Sequence, residues 1–95
     1  MNLRFLHDPE TGLPHICRHG VEEYEVEEVL LNAEEDFASA RGSRIIAGQT
    51  DAGRYLRVIF VPDKTSDSGL VVTAYQLKGN DLAAFRRRRK RKNRS

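Results

Sequence analysis

The chain is expected to fold as an α+β domain: an antiparallel β-sheet of at least three strands, helices packed on one face, and a basic C-terminal tail. Three observations lead there. Apolar and polar side chains alternate with period two along Arg54–Val61, as Leu56, Val58 and Phe60 against Tyr55, Arg57 and Ile59. The segment Val21–Asn32 instead places Val26, Val29, Leu30 and Ala33 at helical spacing. The third is a break in composition at Arg86, where a mixed sequence of 95 residues gives way to an almost wholly cationic run. Residues 1–85 then form one domain with a modest core, and 86–95 form a tail that continues the last helix or is disordered.

Leu3–Leu6 reads as a short first strand. Asp8-Pro9-Glu10-Thr11-Gly12-Leu13-Pro14 is turn chemistry, and His15–Gly20, bounded by Pro14 and Gly20, reads as a loop. The helix follows, with Glu22, Glu23, Glu25, Glu27 and Glu28 filling most of its polar positions and its early glutamates facing the positive helix N-terminus. After a short strand at Phe37–Ala40 come Arg44–Gln49, Arg54–Val61 and Leu70–Leu77. The four-residue loop Thr50-Asp51-Ala52-Gly53 and the polar loop Pro62–Gly69 favour an antiparallel meander. A last helix starts near Gly79, with Asn80 as N-cap and Leu82, Ala83 and Phe85 as anchors, and is expected to fray after about Arg88.

Pairing Gln49 with Arg54 fixes a register. Ile45, Ala47, Leu56, Val58 and Phe60 then form the core face, joined by Val72 and Ala74. Arg44, Tyr55 and Arg57 take the other face, joined by Val71, Thr73 and Tyr75. A slip of one residue reverses a whole strand.

Charge and cysteine content narrow the functional classes. Residues 1–85 carry 8 Lys/Arg against 14 Asp/Glu, a balance of −6, whereas Arg86–Arg94 carries 8 positive charges. Such a block seeks an electrostatic partner: nucleic acid, an acidic protein surface, or the chain's own acidic helix Glu22–Glu28, in the same chain or in a second copy as a homodimer. Met1–Leu6 lacks the apolar run of a signal peptide, and no stretch approaches a membrane span, so a cytoplasmic location and no membrane partner are expected. Cys17 is the only cysteine; no intrachain disulfide can form, and a buried, inert thiol is expected. His7, His15, Cys17 and His19 are potential zinc ligands, but their spacing matches no common zinc motif, and no metal or cofactor is expected.

Two groups of residues carry candidate chemistry. His19 lies beside Arg18 and just ahead of the acidic helix; a cationic neighbour and a helix N-terminus both favour the neutral imidazole that a general base needs. Arg44, Arg54, Arg57, Tyr55 and Tyr75 are the types that metal-free RNA cleavage requires. A base removes the 2′-OH proton, cations hold the charge of the phosphorane-like transition state, and an acid protonates the leaving oxygen. Arginine suits phosphate through its planar fork, and tyrosine stacks on a base or orients a hydroxyl.

Several segments, in order, resemble BrnT-family toxins, whose fold is of the RelE type. They are His15-Ile16-Cys17-Arg18-His19-Gly20-Val21 ahead of the acidic helix, and Arg44-Ile45-Ile46-Ala47-Gly48-Gln49-Thr50 with Gly53-Arg54-Tyr55-Leu56-Arg57-Val58-Ile59-Phe60. Val71-Val72-Thr73-Ala74-Tyr75, then Asp81 and Phe85, complete the set. Tyr75 stands where that family's arginine usually falls, Asp81 replaces the usual glutamate, and the first strand lacks the typical aromatic-Asp pattern. The likeness extends to BrnT-related families of unknown function. It implies a ribosome-independent endoribonuclease that blocks translation, and a cognate antitoxin carrying a DNA-binding domain. On this reading His19 is acid or base, Arg44 and Arg54 stabilise phosphate charge, and Tyr75 orients the 2′-OH or stacks a base. Tyr55, Arg57 and the tail residues Arg86, Arg87 and Arg88 hold RNA. The alternative is a non-catalytic RNA- or protein-binding module using the same sheet face and tail.

Overall fold

The computed structural model describes residues 2–64 and 68–92. Its framework is the hairpin of β3 (Arg44–Gln49) and β4 (Tyr55–Pro62), closed by a loop whose geometry is local. The Thr50 N–H donates to the Arg54 carbonyl at 2.8 Å, Thr50 Oγ1 accepts the Arg54 N–H at 3.0 Å, and Gly53 takes φ 97°. Thr50 rather than Gln49 therefore faces Arg54, and Gln49 pairs with Tyr55. The expected register is corrected by one residue. Ile46 and Gly48, not Ile45 and Ala47, share a face with Leu56 and Val58, and Arg44 lies on that face too, opposite Phe60.

β5 (Ser68–Gln76) pairs antiparallel with β4, and β1 (Asn2–Phe5) lies parallel to β5 at one edge. β2 (Glu35–Ala38) forms the other edge, so that the described residues build a sheet in the order β1-β5-β4-β3-β2. A bulge interrupts the β4–β5 ladder: Ile59 faces Thr73 while Phe60 faces Val71, leaving Val72 as the extra residue. Val71 is thereby turned into the core at 0% exposure, and the expected assignment of Val71 to the open face, with Val72 inward, is reversed. Thr73 and Tyr75 keep the expected face. At the far end of the hairpin a Cβ on Gly69 would lie 2.3 Å from the Phe60 ring, so only glycine lets that ring lie across β5.

α1 (Glu23–Leu31) packs on the face holding Leu56, Val58 and Phe60, as its apolar spacing requires. Val26 and Val29 join Ile46, Leu56, Val58, Phe60, Val71 and Ala74 in the main core, with Ile16 from a 3-10 turn over His15–His19. The helix begins two residues later than expected because the Glu22 N–H is capped by Glu25 Oε1 at 3.0 Å. Gly48 allows the close approach of α1: a Cβ there would meet the Asn32 carbonyl at 3.2 Å.

α2 (Gly79–Lys92) takes the opposite face, so the helices divide between the two faces instead of sharing one. Its Phe85 is fully buried with Ala47 and Leu77, while Tyr55 and Leu82 pack alongside and the Tyr55 and Phe85 rings meet edge to face at 5.7 Å. Burying that ring stabilises the helix contact by about 1.5–3 kcal/mol. Asn80 lies inside the first turn, not at the cap, since the Asp81 and Leu82 N–H groups both donate to the Lys78 carbonyl. The helix continues through the basic run to Lys92, beyond the expected fraying point at Arg88. Residues 93–95, including Arg94 of the basic block, lie outside the described residues. The block folds back on acidic residues of its own chain, but on Glu34 and Glu35 at the start of β2 rather than on α1. Arg88 donates Nε and Nη2 to the two Glu35 oxygens at 2.6 and 2.9 Å, and Arg89 pairs with Glu34 at 3.1 Å. The Glu35 carboxylate holds the Arg88 guanidinium above its ordinary pKa.

At the other end of the sheet, Arg4 grips Asp63 through two hydrogen bonds of 2.9 Å and Ser68 Oγ donates a third at 2.7 Å. These donors, Arg4 first, hold the Asp63 carboxyl down to about 2. A depressed carboxylate contributes stability that is complete above its ordinary value of 3.8 and disappears as pH falls through about 2. The expected result is a carboxyl NMR titration of Asp63 centred near 2, moving upward toward the ordinary value in Arg4→Ala. A midpoint already at the ordinary value in the unmodified chain would refute the clamp.

Candidate functional site

The 3-10 turn His15–His19 runs along the free stretch of β5 beyond β1. It is placed there by His15 N–H donating to the Leu6 carbonyl at 2.8 Å and by Ile16 entering the core. Gly20 ends the turn at φ 70°. His19 is thereby exposed at the rim of a cleft of about 490 Å³ lined by Arg18, His19, Tyr75, Gln76 and Lys78. The His19 and Tyr75 rings meet edge to face with centroids 6.2 Å apart, and the His15 ring meets His19 edge to face at 5.5 Å.

Tyr75 lies on the α2 face of the sheet, directly across from Arg57. Arg57 Nη1 donates to the Tyr75 hydroxyl at 3.3 Å, and its guanidinium carbon lies 6.0 Å from the ring centroid. Arg57 Nε and Thr73 Oγ1 on the same face are buried without a hydrogen-bond partner among the described residues. Imidazole, phenol and guanidinium thus follow one another from the 3-10 turn into β4. Arg18 and Lys78 line the same cleft, the Arg18 guanidinium being paired with Asp8 and Glu10. This set can exchange a proton and hold an anion.

Arg54 reaches the site differently. Its Nη1 donates to both oxygens of Glu25 at 2.7 and 2.8 Å and to the Gly20 carbonyl at 3.1 Å, and its Nη2 donates to Gln76 Oε1 at 3.3 Å. Glu25 is only 5% exposed. Arg54 therefore ties α1, the residue after His19 and the residue after Tyr75 into one knot, with its own charge already matched. Arg44 is not brought to the site at all: it lies at the opposite end of β3, on the α1 face, paired with Asp36 at 2.6 Å. Tyr55 is packed under Phe85 and Arg86, whose guanidinium lies 5.3 Å from the Tyr55 ring centroid.

The surroundings of His19 also differ from expectation. Arg18 turns away onto Asp8 and onto Glu10 at 3.1 Å. Its guanidinium and the Glu10 N–H hold the Asp8 carboxyl below the usual range, while Asp8 raises Arg18 in turn. His19 ends its own short turn, three residues ahead of Glu22, so neither the bare cation nor the helix N-terminus inferred from the sequence acts on it directly. Cys17 is exposed, not buried. The described residues contain no group of three or more His, Cys, Asp or Glu side chains able to hold a metal ion, and none of their helices is long and apolar enough to cross a membrane.

Sequence reasoning missed Gln76 and Lys78. Their signal was position: one directly follows Tyr75, and the other occupies the strand-to-helix junction where side chains fan out at a sheet end.

No significant match is found among curated proteins or among solved structures. The sequence profile of a domain family of unknown function, DUF4258, matches residues 16–76. That stretch runs from the 3-10 turn to the end of β5 and holds His19, Arg54, Arg57, Tyr75 and Gln76, leaving out β1, Lys78 and α2. The match covers well over half of the chain, and the protein belongs to the DUF4258 family.

Proposed function

We propose that the protein is a toxin-like, metal-independent endoribonuclease, related to the BrnT toxins and paired in the cytoplasm with an antitoxin that carries a DNA-binding domain. The observation that carries this reading is the open cleft lined by His19, Tyr75 and Lys78, with Arg57 hydrogen-bonded to the Tyr75 hydroxyl beside it. His19 accepts the 2′-OH proton. The 2′ oxygen attacks phosphorus, the P–O5′ bond breaks, and the Tyr75 hydroxyl protonates the departing 5′ oxygen, leaving a 2′,3′-cyclic phosphate. Arg57 donates to the phenolic oxygen and stabilises the negative charge that develops there, and Lys78 faces the phosphate. Arg54 acts as a positioning residue, and Arg44 has no part in the site.

A non-catalytic binding module is the second reading, favoured by the engagement of both Arg44 and Arg54 with carboxylates of their own chain. Incubating the purified protein with single-stranded RNA in excess EDTA separates the two. The nuclease reading expects cleavage with cyclic phosphate ends and unchanged rate. Absence of cutting, by the protein alone and with ribosomes, would leave the binding module.

A further inference from the structure

The basic run of α2 is divided by the helix into two chemically different faces. Arg88 and Arg89 point down onto Glu35 and Glu34, so their charge is spent within the fold. Arg86, Arg87 and Lys90 are exposed, and no carboxylate among the described residues pairs with them. Spacings of three and four place these three side chains, with Ala83, on one face of the helix, neighbours separated by roughly 5–6 Å. That ridge carries no large apolar side chain. Protein interfaces draw their energy from buried aromatic and aliphatic anchors, which are lacking here. A row of cations without an anchor fits a row of phosphates. Lys78, at the start of the same helix, already lines the His19–Tyr75 cleft. The rest of the chain is acidic, −6 over residues 1–85 from 8 Lys/Arg and 14 Asp/Glu, so this helix carries the densest run of positive charge in the sequence.

We infer that Arg86, Arg87 and Lys90 form the docking ridge for the backbone of single-stranded RNA whose scissile phosphate enters the cleft at Lys78. Arg88 and Arg89 serve only as struts that hold the ridge to β2. The inference rests on the reading of RNA as the ligand of that cleft. It removes Arg88 and Tyr55 from the RNA-binding set and adds Lys90.

The test measures binding of a fluorescently labelled single-stranded RNA across a salt series, with His19→Ala present throughout so that the probe stays intact. Arg87→Gln with Lys90→Gln removes two phosphate contacts and should lower the log–log salt slope by about 1.4, at roughly 0.7 per contact on a single strand. Arg88→Gln with Glu35→Gln removes a strut without changing net charge; its slope should stay unchanged while the melting temperature falls. A slope that ignores the first pair, or drops as much with the second, overturns the division. So does failure of the intact ridge to bind the probe, which would direct the search to an acidic protein. Ridge-dependent binding with no cutting by the protein that keeps His19 would sink the nuclease reading and the scissile phosphate with it, but keep the ridge as the RNA-docking surface. Cutting with a slope insensitive to Arg87 and Lys90 would do the reverse.

Discussion

His19→Ala is expected to lower EDTA-resistant RNA cleavage by about a hundredfold or more, the usual loss when an acid–base group is removed. The imidazole is exposed and, among the described residues, makes only ring contacts with His15 and Tyr75, so the melting temperature should barely move. Tyr75→Phe keeps the ring contact but removes the hydroxyl that protonates the leaving oxygen and accepts the Arg57 hydrogen bond, and should also lose about a hundredfold or more. Arg44→Ala provides the internal contrast. Its side chain lies on the other face with Asp36, and cleavage should stay within about twofold. Full activity in both His19→Ala and Tyr75→Phe would remove the cleft from the mechanism. A loss in Arg44→Ala as deep as in His19→Ala would do the same.

Arg54→Ala should have the largest effect on stability of any single change around the cleft. It strands Glu25, which is 5% exposed, without its guanidinium, and it releases Gly20 and Gln76 together. Breaking a fully buried pair costs about 3–5 kcal/mol. Arg54 keeps 30% of its side chain in solvent, which screens part of that, so about 2 kcal/mol is the expected loss. For a domain of this size it corresponds to a fall of roughly 10 °C in melting temperature. A double-mutant cycle with Glu25→Gln isolates the pair, and a coupling indistinguishable from zero would show that the knot holds nothing. Any cleavage defect in Arg54→Ala then reflects a displaced His19 and Tyr75, consistent with a positioning role.

The hairpin shows how finely a sequence can be read and where reading stops. The alternation of Leu56, Val58 and Phe60 placed β4 correctly, because a strand with one buried face records that face in its own residues. β3 recorded no such choice: Ile45, Ile46 and Ala47 are all apolar, so its register hung on the loop, and the hydroxyl of Thr50 moved it by one residue. Val71 and Val72 were likewise interchangeable until the bulge turned one inward. Cys17 was placed by the habits of its residue type, which say nothing about a short turn lying along a sheet edge.

By itself, the sequence determined the α+β class, the order of the strands along the chain, the core face of β4, the presence of a helix within Val21–Asn32 and the electrostatic break at Arg86. Each is written in residues close together along the chain, where period, turn chemistry and composition act locally. Only the tertiary structure decided which cations remain available. Arg44, Arg54, Arg88 and Arg89 find carboxylates 8, 29, 53 and 55 positions away, while Arg57 finds a phenol on the neighbouring strand. An arginine looks the same in sequence whether it meets a phosphate or a glutamate. The difference lies in what the fold brings within hydrogen-bonding distance, and that is set by strand register and by the packing of α2 across the sheet.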